Sequence, residues 1–292
     1  MGHLYLASFF LTVATTLPHY LNSSFIATTI GEARVSWIYA FSAILSSICL
    51  FWLARRILGW GARRILLTLG VIDMAALVAL GLAGPSTLGL GIFLVTHVSL
   101  IMLGFSMDIY LEQFSRDTHT GRIRGLYLTA ANFAWIIVPI ISSFLFAEAG
   151  YRVLYLTAAF LLIPFLLIIA HLQKSDHTVA LTPIINLSWL RAPKDSRERN
   201  LRRLWVLDLL LYFFYFFMVV YTPIYLSVHQ GLSWTQIGFI FSFMLLPFLL
   251  LEYPLGRLAD LAWGEKEALV GGVIILAAST ITLYFIDSLE IW

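Results

Sequence analysis

The sequence predicts an all-α membrane protein of nine spans. A six-helix bundle covers residues 1–172, a cytoplasmic linker covers 173–203, and three helices of a second bundle cover 204–292. Three observations carry this. Only 12% of the 292 residues are charged, about half the share that a water-facing domain uses. Apolar runs long enough for a hydrocarbon core about 30 Å thick recur nine times. The basic residues alternate from one connection to the next.

The runs lie at about 4–22, 35–54, 65–84, 88–110, 124–147, 152–172, 204–226, 237–256 and 268–287. Each is continuous rather than alternating, so each reads as a helix that satisfies its own backbone in lipid, not as a barrel strand. The first run lacks a basic leader and a small-residue cleavage site, and eight more runs follow it, so it reads as a membrane helix rather than a signal peptide. The second contains Cys49, the single cysteine, which rules out an internal disulfide or a Cys-based metal cluster. After the sixth run comes the one long connection, 173–203, with seven basic and three acidic residues. It is interrupted by Pro183 and Pro193, and Ile184, Ile185, Trp189 and Leu190 could form a short interfacial segment.

The even connections hold Arg55, Arg56, Arg63, Arg64, Arg116, Arg122, Arg124, Lys174, Arg191, Lys194, Arg197, Arg199, Arg202, Arg203, Arg257 and Lys266. The odd ones hold only Arg34 and Arg152. Sixteen against two accounts for all eighteen basic residues and places the N-terminus in the cytoplasm and residue 292 outside, in the cell's inner (plasma) membrane. One missed helix would scramble the alternation. The fifteen per cent of aromatic residues suits a protein with many membrane–water interfaces.

The chain also repeats. At an offset of 205 residues, Pro18-His-Tyr20-Leu21 falls on Pro223-Ile-Tyr225-Leu226, Leu53-Ala54 on Leu258-Ala259, and Gly59 on Gly264. Each Pro-x-Tyr-Leu is expected to end a membrane helix. Helices one and seven then correspond, as do two and eight, and both pairs start in the cytoplasm. This is a parallel repeat, the way one major transporter fold is built.

Gly256-Arg257-Leu258-Ala259-Asp260, followed by Gly264 and Lys266, sits in the cytoplasmic connection after helix eight. It resembles the signature loop of the major facilitator superfamily, which occurs after helix two and again, weaker, after helix eight. The first copy here reads Phe51-Trp-Leu53-Ala54-Arg55-Arg56 with Gly59 beyond. Phe51 stands where a glycine is expected and Arg55 where an aspartate is expected, so the second copy is the better one. The resemblance implies that Asp260 helps latch the cytoplasmic helix ends, with Arg257 or Lys266 as local partners. Helix five carries Ala130-x-x-x-Ala134-x-x-x-Val138-Pro139-x-x-Ser142-Ser143, which resembles the family's helix-five pattern in its proline. Small residues at this spacing read first as close helix packing. The family has twelve helices, so the chain is expected to be a fragment or a truncated product.

Ionisable and strongly polar groups within the spans are candidates for function. They are Asp73 in helix three, His97 in helix four and Asn132 in helix five. The resemblance implies that helices one, four, seven and ten line a central cavity, which singles out His97 with Tyr212 and Tyr215. His97 is then a candidate carrier of a coupling proton. Asp73, on a helix expected to be peripheral, has structural pairing as its alternative. Asp108, Glu112, Asp208 and Glu252 are expected in charge networks at the cytoplasmic ends with Arg122, Arg124 or Arg202.

The resemblance implies a secondary transporter of a small solute, with the lipid bilayer, the solute and a coupling H+ as partners and no cofactor. The alternative is a non-transporting membrane protein, a sensor or a decayed transporter. An intramembrane enzyme finds no support, because the seven histidines, at 3, 19, 97, 119, 171, 177 and 229, form no His-Glu-x-x-His and no metal site. No Walker-type phosphate loop occurs, and the basic residues follow the membrane rule rather than forming a nucleic-acid patch.

Overall fold

The computed structural model of the chain describes residues 2–114, 120–172, 196–258 and 265–285, and among these there is no strand. The helices are α1 (Gly2–Thr16), α2 (Asn22–Ile30), α3 (Val35–Trp60), α4 (Ala62–Ala83), α5 (Thr87–Phe114), α6 (Thr120–His171), α7 (Ser196–Ile224), α8 (Trp234–Leu258) and α9 (Glu265–Phe285). Within the described residues, the second to ninth apolar runs fall on helix, and the first falls on helix broken by a turn. Among the described residues, five helical stretches are long and apolar enough to cross a membrane: Glu32–Leu53, Ala62–Ala83, Thr87–Leu111, Asn132–His171 and Arg199–His229. The fourth, of 40 residues, is too long for one span. It is broken at Gly150, whose φ of 68° only glycine adopts readily, and so serves as both the fifth and the sixth run.

The first run differs from its sequence reading. Helix stops at Thr16, the chain turns through 17–21, and helix resumes from Asn22 to Ile30. Pro18-His-Tyr20-Leu21 therefore interrupts the first span near its middle instead of ending it. Pro18 has no N–H to offer the carbonyl of Ala14, so the α-helical ladder cannot cross this point. Turn-type bonds replace it, from His19 N to Thr16 O (2.9 Å) and from Leu21 N to Pro18 O (3.1 Å). In the seventh helix the matching Pro223 lies close to the end, followed by a π-helical turn over Tyr225–His229. The turn glycines Gly31 and Gly231 are 200 residues apart, not 205. The helix-to-helix correspondence keeps its order, but the Pro-x-Tyr-Leu segments sit at different depths.

Residues up to Ser242 form one compact unit and those from Phe243 onward another. In the first, α1 packs on α6, α4 on α5 and α6, α3 on α5, and α2 on α7. The α4–α6 seam runs from Gly70 against Phe165 and Leu166 to Gly81 against Tyr155 and Leu156. At the end nearer Gly70, Arg63 donates from Nε to the Ile169 carbonyl (3.0 Å) and from Nη2 to that of Ala170, satisfying acceptors left free where α6 ends. The second unit holds the rest of α8 and α9, whose described side chains are mostly exposed.

Candidate functional site

The break in the first span places two ring-bearing residues side by side, and both reach the first part of α6. The His19 ring meets Trp135 edge-on, with centroids 5.0 Å apart. The Tyr20 hydroxyl donates to the Pro139 carbonyl (2.9 Å) and its ring stacks on Phe241 of α8 at 5.3 Å. Trp135 and Pro139 are one helical turn apart and share a face, on which Asn132 lies a further turn toward the helix start. Just past the break, Asn22 Oδ1 accepts a buried hydrogen bond from Tyr155 (2.9 Å), which ties the resumed helix to the sixth span.

His97 stands on α5 with its ring against Tyr39 of α3 (5.4 Å) and Phe93 (5.5 Å). Tyr39 in turn meets Phe216 of α7 at 5.6 Å. His97 Nδ1 is buried and has no hydrogen-bond partner among the described residues, and neither does Thr16 Oγ1 at the end of α1. A buried polar atom left unpaired is costly, so each calls for an explanation such as an ordered water, an ion or a functional role. His19 and His97 are both half-buried.

Several predicted site residues belong to this cluster and others do not. His97 is at its centre, and Asn132, which is half-buried and engaged in an interaction of its own, is on the bordering face. Phe216, not Tyr212, carries the α7 contact: Tyr212 is 67% exposed, and Tyr215 is half-buried one residue away from Phe216. Asp73 is buried against the α4–α6 seam, and its Oδ1 has no partner among the described residues. The register from Gly70–Phe165 to Gly81–Tyr155 puts it across from the Ala159–Leu162 stretch of α6, away from the ring cluster.

Asp108 and Asp208 are exposed, as are Arg202 and Lys266, and Gly59 has open space where a Cβ would be. Asp260 and Gly264 lie outside the described residues. So do the side chains of Arg55, Glu112, Arg122, Arg124, Glu252 and Arg257, while Gly256 is placed in α8 by its backbone alone. The small-residue pattern of helix five does make a close contact. A Cβ on Gly238 of α8 would lie 2.7 Å from the Pro139 carbonyl and 2.5 Å from Ser143 Cβ.

Sequence reasoning missed His19, Tyr39, Trp135 and Phe216. His19 carried a signal, an imidazole beside a proline inside an apolar run. The three aromatic residues carried none.

No group of His, Cys, Asp or Glu among the described residues could hold a metal ion. No curated protein and no solved structure matches the chain. The sequence profile of the Major Facilitator Superfamily matches residues 4–292, nearly the whole length. Together with the succession of membrane-crossing helices, this match shows that the chain is a multi-pass membrane protein belonging to the major facilitator superfamily of transporters.

Proposed function

We propose that the protein moves a small solute by alternating access, with the solute site at the break in the first span and His97 carrying a coupling proton. The observation that supports this most is the unpartnered Nδ1 of His97, buried beside a discontinuous helix where the first, second, fourth, fifth and seventh spans meet. Discontinuous helices at mid-membrane are where transporters of other folds place their sites. An imidazole changes charge between pH 5 and 8 without further tuning. The close contact of Gly238 with Ser143 supplies a smooth seam along which two bundles can rock.

In this reading residues 1–172 form the first bundle, 173–203 the cytoplasmic linker and 204–292 the first three helices of the second. The membrane is the cell's inner membrane, with the N-terminus in the cytoplasm and residue 292 outside. Asp260, with Arg257 or Lys266, latches the cytoplasmic ends. Asp73 is a second protonatable group off the central path. The test is solute-dependent proton flux in vesicles containing the protein, with His97→Gln as the comparison. Flux that survives His97→Gln unchanged removes the coupling role, and no flux with any gradient or solute removes the transport reading.

A further inference from the structure

The last turns of α3 hold a cation that the transport reading does not use. The Arg56 guanidinium lies over the ring of Trp52, one turn before it, at 5.0 Å from the centroid. It also lies over the ring of Trp60, one turn after it, at 5.6 Å. All three side chains are exposed. A guanidinium held over ring faces is steadied without spending its N–H donors, and its planar fork matches the oxygens of a phosphate. Among the described residues Arg56 forms no ion pair.

The same helix sets the depth of this clamp. Trp37, Phe41, Ile44, Ile48 and Trp52 are exposed and share one face of α3, an apolar flank that suits acyl chains. Trp37 and Arg56 are nineteen residues apart. At 1.5 Å per residue that is about 28 Å, the thickness of a hydrocarbon core. With Trp37 at one boundary, Arg56 and its two indoles fall at the other, the level of the headgroups. Past Gly61 the chain turns into α4, whose first turn carries Arg63 and Arg64 and no acidic residue. Arg63 gives its donors to the α6 carbonyls, and Arg64 is exposed. Positive side chains at a helix N-terminus oppose its dipole, and an anion bound there offsets both. Residues 33–72, which span this turn, contain neither Asp nor Glu.

We propose that the α3–α4 turn is a binding site for one anionic phospholipid, whose phosphate accepts from Arg56 between the two indoles and whose acyl chains lie along the exposed flank of α3. Arg64 adds a second positive charge beside the headgroup. A zwitterionic lipid brings a cationic group that these arginines repel, so phosphatidylglycerol is preferred to phosphatidylcholine. Free phosphate meets the same arginine but has no chains to lay on the apolar flank, so it binds far more weakly. The site is independent of which solute the protein moves.

The experiment is native mass spectrometry of the full chain in detergent, titrated with dioleoyl-phosphatidylglycerol or dioleoyl-phosphatidylcholine, with inorganic phosphate as competitor. The first phosphatidylglycerol is expected to bind about tenfold more tightly than phosphatidylcholine, the worth of one charge-assisted hydrogen bond. Arg56→Gln is expected to abolish that preference, and Arg56→Lys, which keeps the charge but not the fork, to retain part of it. Trp52→Leu with Trp60→Leu keeps the apolar surface and removes the ring faces, and should weaken phosphatidylglycerol binding about threefold. Arg203→Gln, which removes an exposed cation from another helix, should change nothing. Equal affinity for the two lipids, or a preference that survives Arg56→Gln, overturns the proposal, and the wild-type comparison needs no variant. An equal loss in Arg203→Gln would reduce the site to bulk charge, and displacement of the lipid by millimolar phosphate would make it a free-anion site; either result also overturns it.

Discussion

Replacing Gly238 by alanine tests the α6–α8 contact at a point where the geometry sets the sign of the effect. The added methyl would sit 2.5 Å from Ser143 Cβ and 2.7 Å from the Pro139 carbonyl, with Ser143 Oγ nearer still. Non-bonded carbons rest at about 3.5–4.0 Å, so the helices must part by roughly 1 Å or the side chains must leave their wells. Overpacking of this kind costs about 1–3 kcal/mol. Alanine's better helix propensity returns about 0.5–1 kcal/mol, leaving a net loss of up to about 2.5 kcal/mol. Gly104, in the same unit on α5, is the internal control: nothing lies within 4 Å of its Cβ position, so Gly104→Ala keeps only the gain. Denaturant unfolding of both variants in one detergent should move their midpoints in opposite directions. Adding Ser143→Ala to Gly238→Ala removes the closest atom but not Ser143 Cβ or the carbonyl, so only part of the loss returns. If Gly238→Ala is as stable as Gly104→Ala, the close approach of α6 and α8 is wrong.

Further outcomes follow from single contacts. Arg63→Gln removes the charged donor to the last carbonyls of α6 and should lower stability by about 1 kcal/mol in the same unfolding assay, with Arg63→Lys intermediate. Tyr155→Phe gives up one buried hydrogen bond at about 1 kcal/mol, whereas Asn22→Leu strands the Tyr155 hydroxyl and should cost more; equal losses would mean the bond is not made. Asp73→Leu exchanges a buried, unpartnered carboxylate for an apolar group and should hold or raise stability, by up to a few kcal/mol. A fall of 3 kcal/mol or more would reveal an ion-pair partner for Asp73.

The fold was legible because lipid leaves the backbone few choices. An apolar run of twenty residues must be a helix, and the placement of arginine and lysine then orients it. The break at Pro18 was not legible. A proline near the end of a helix and one in the middle look alike in a sequence until the following turn is located. That turn is at Gly31, thirteen residues after Pro18, but at Gly231, only eight after Pro223. The repeat at 205 hid this difference, because identities in apolar sequence keep register more easily than helix ends do.

His97 stood out in the sequence because an imidazole within a span is rare and costly. His19, read as lying at a helix end where polar residues are ordinary, did not. Tyr39, Trp135 and Phe216 are aromatic residues in a chain that is 15% aromatic, and only packing shows which of them turn inward.

The central claim is that the first span opens mid-membrane onto internal, water-reachable space beside His97. Thiol labelling in a Cys49→Ala background measures this directly, with a membrane-impermeant maleimide applied to His19→Cys and to Phe41→Cys, whose side chain is 54% exposed on the flank of α3. The account predicts that the cysteine at position 19 reacts, and that the one at position 41, on an exposed apolar flank, does not. Labelling at 41 with none at 19 would contradict it.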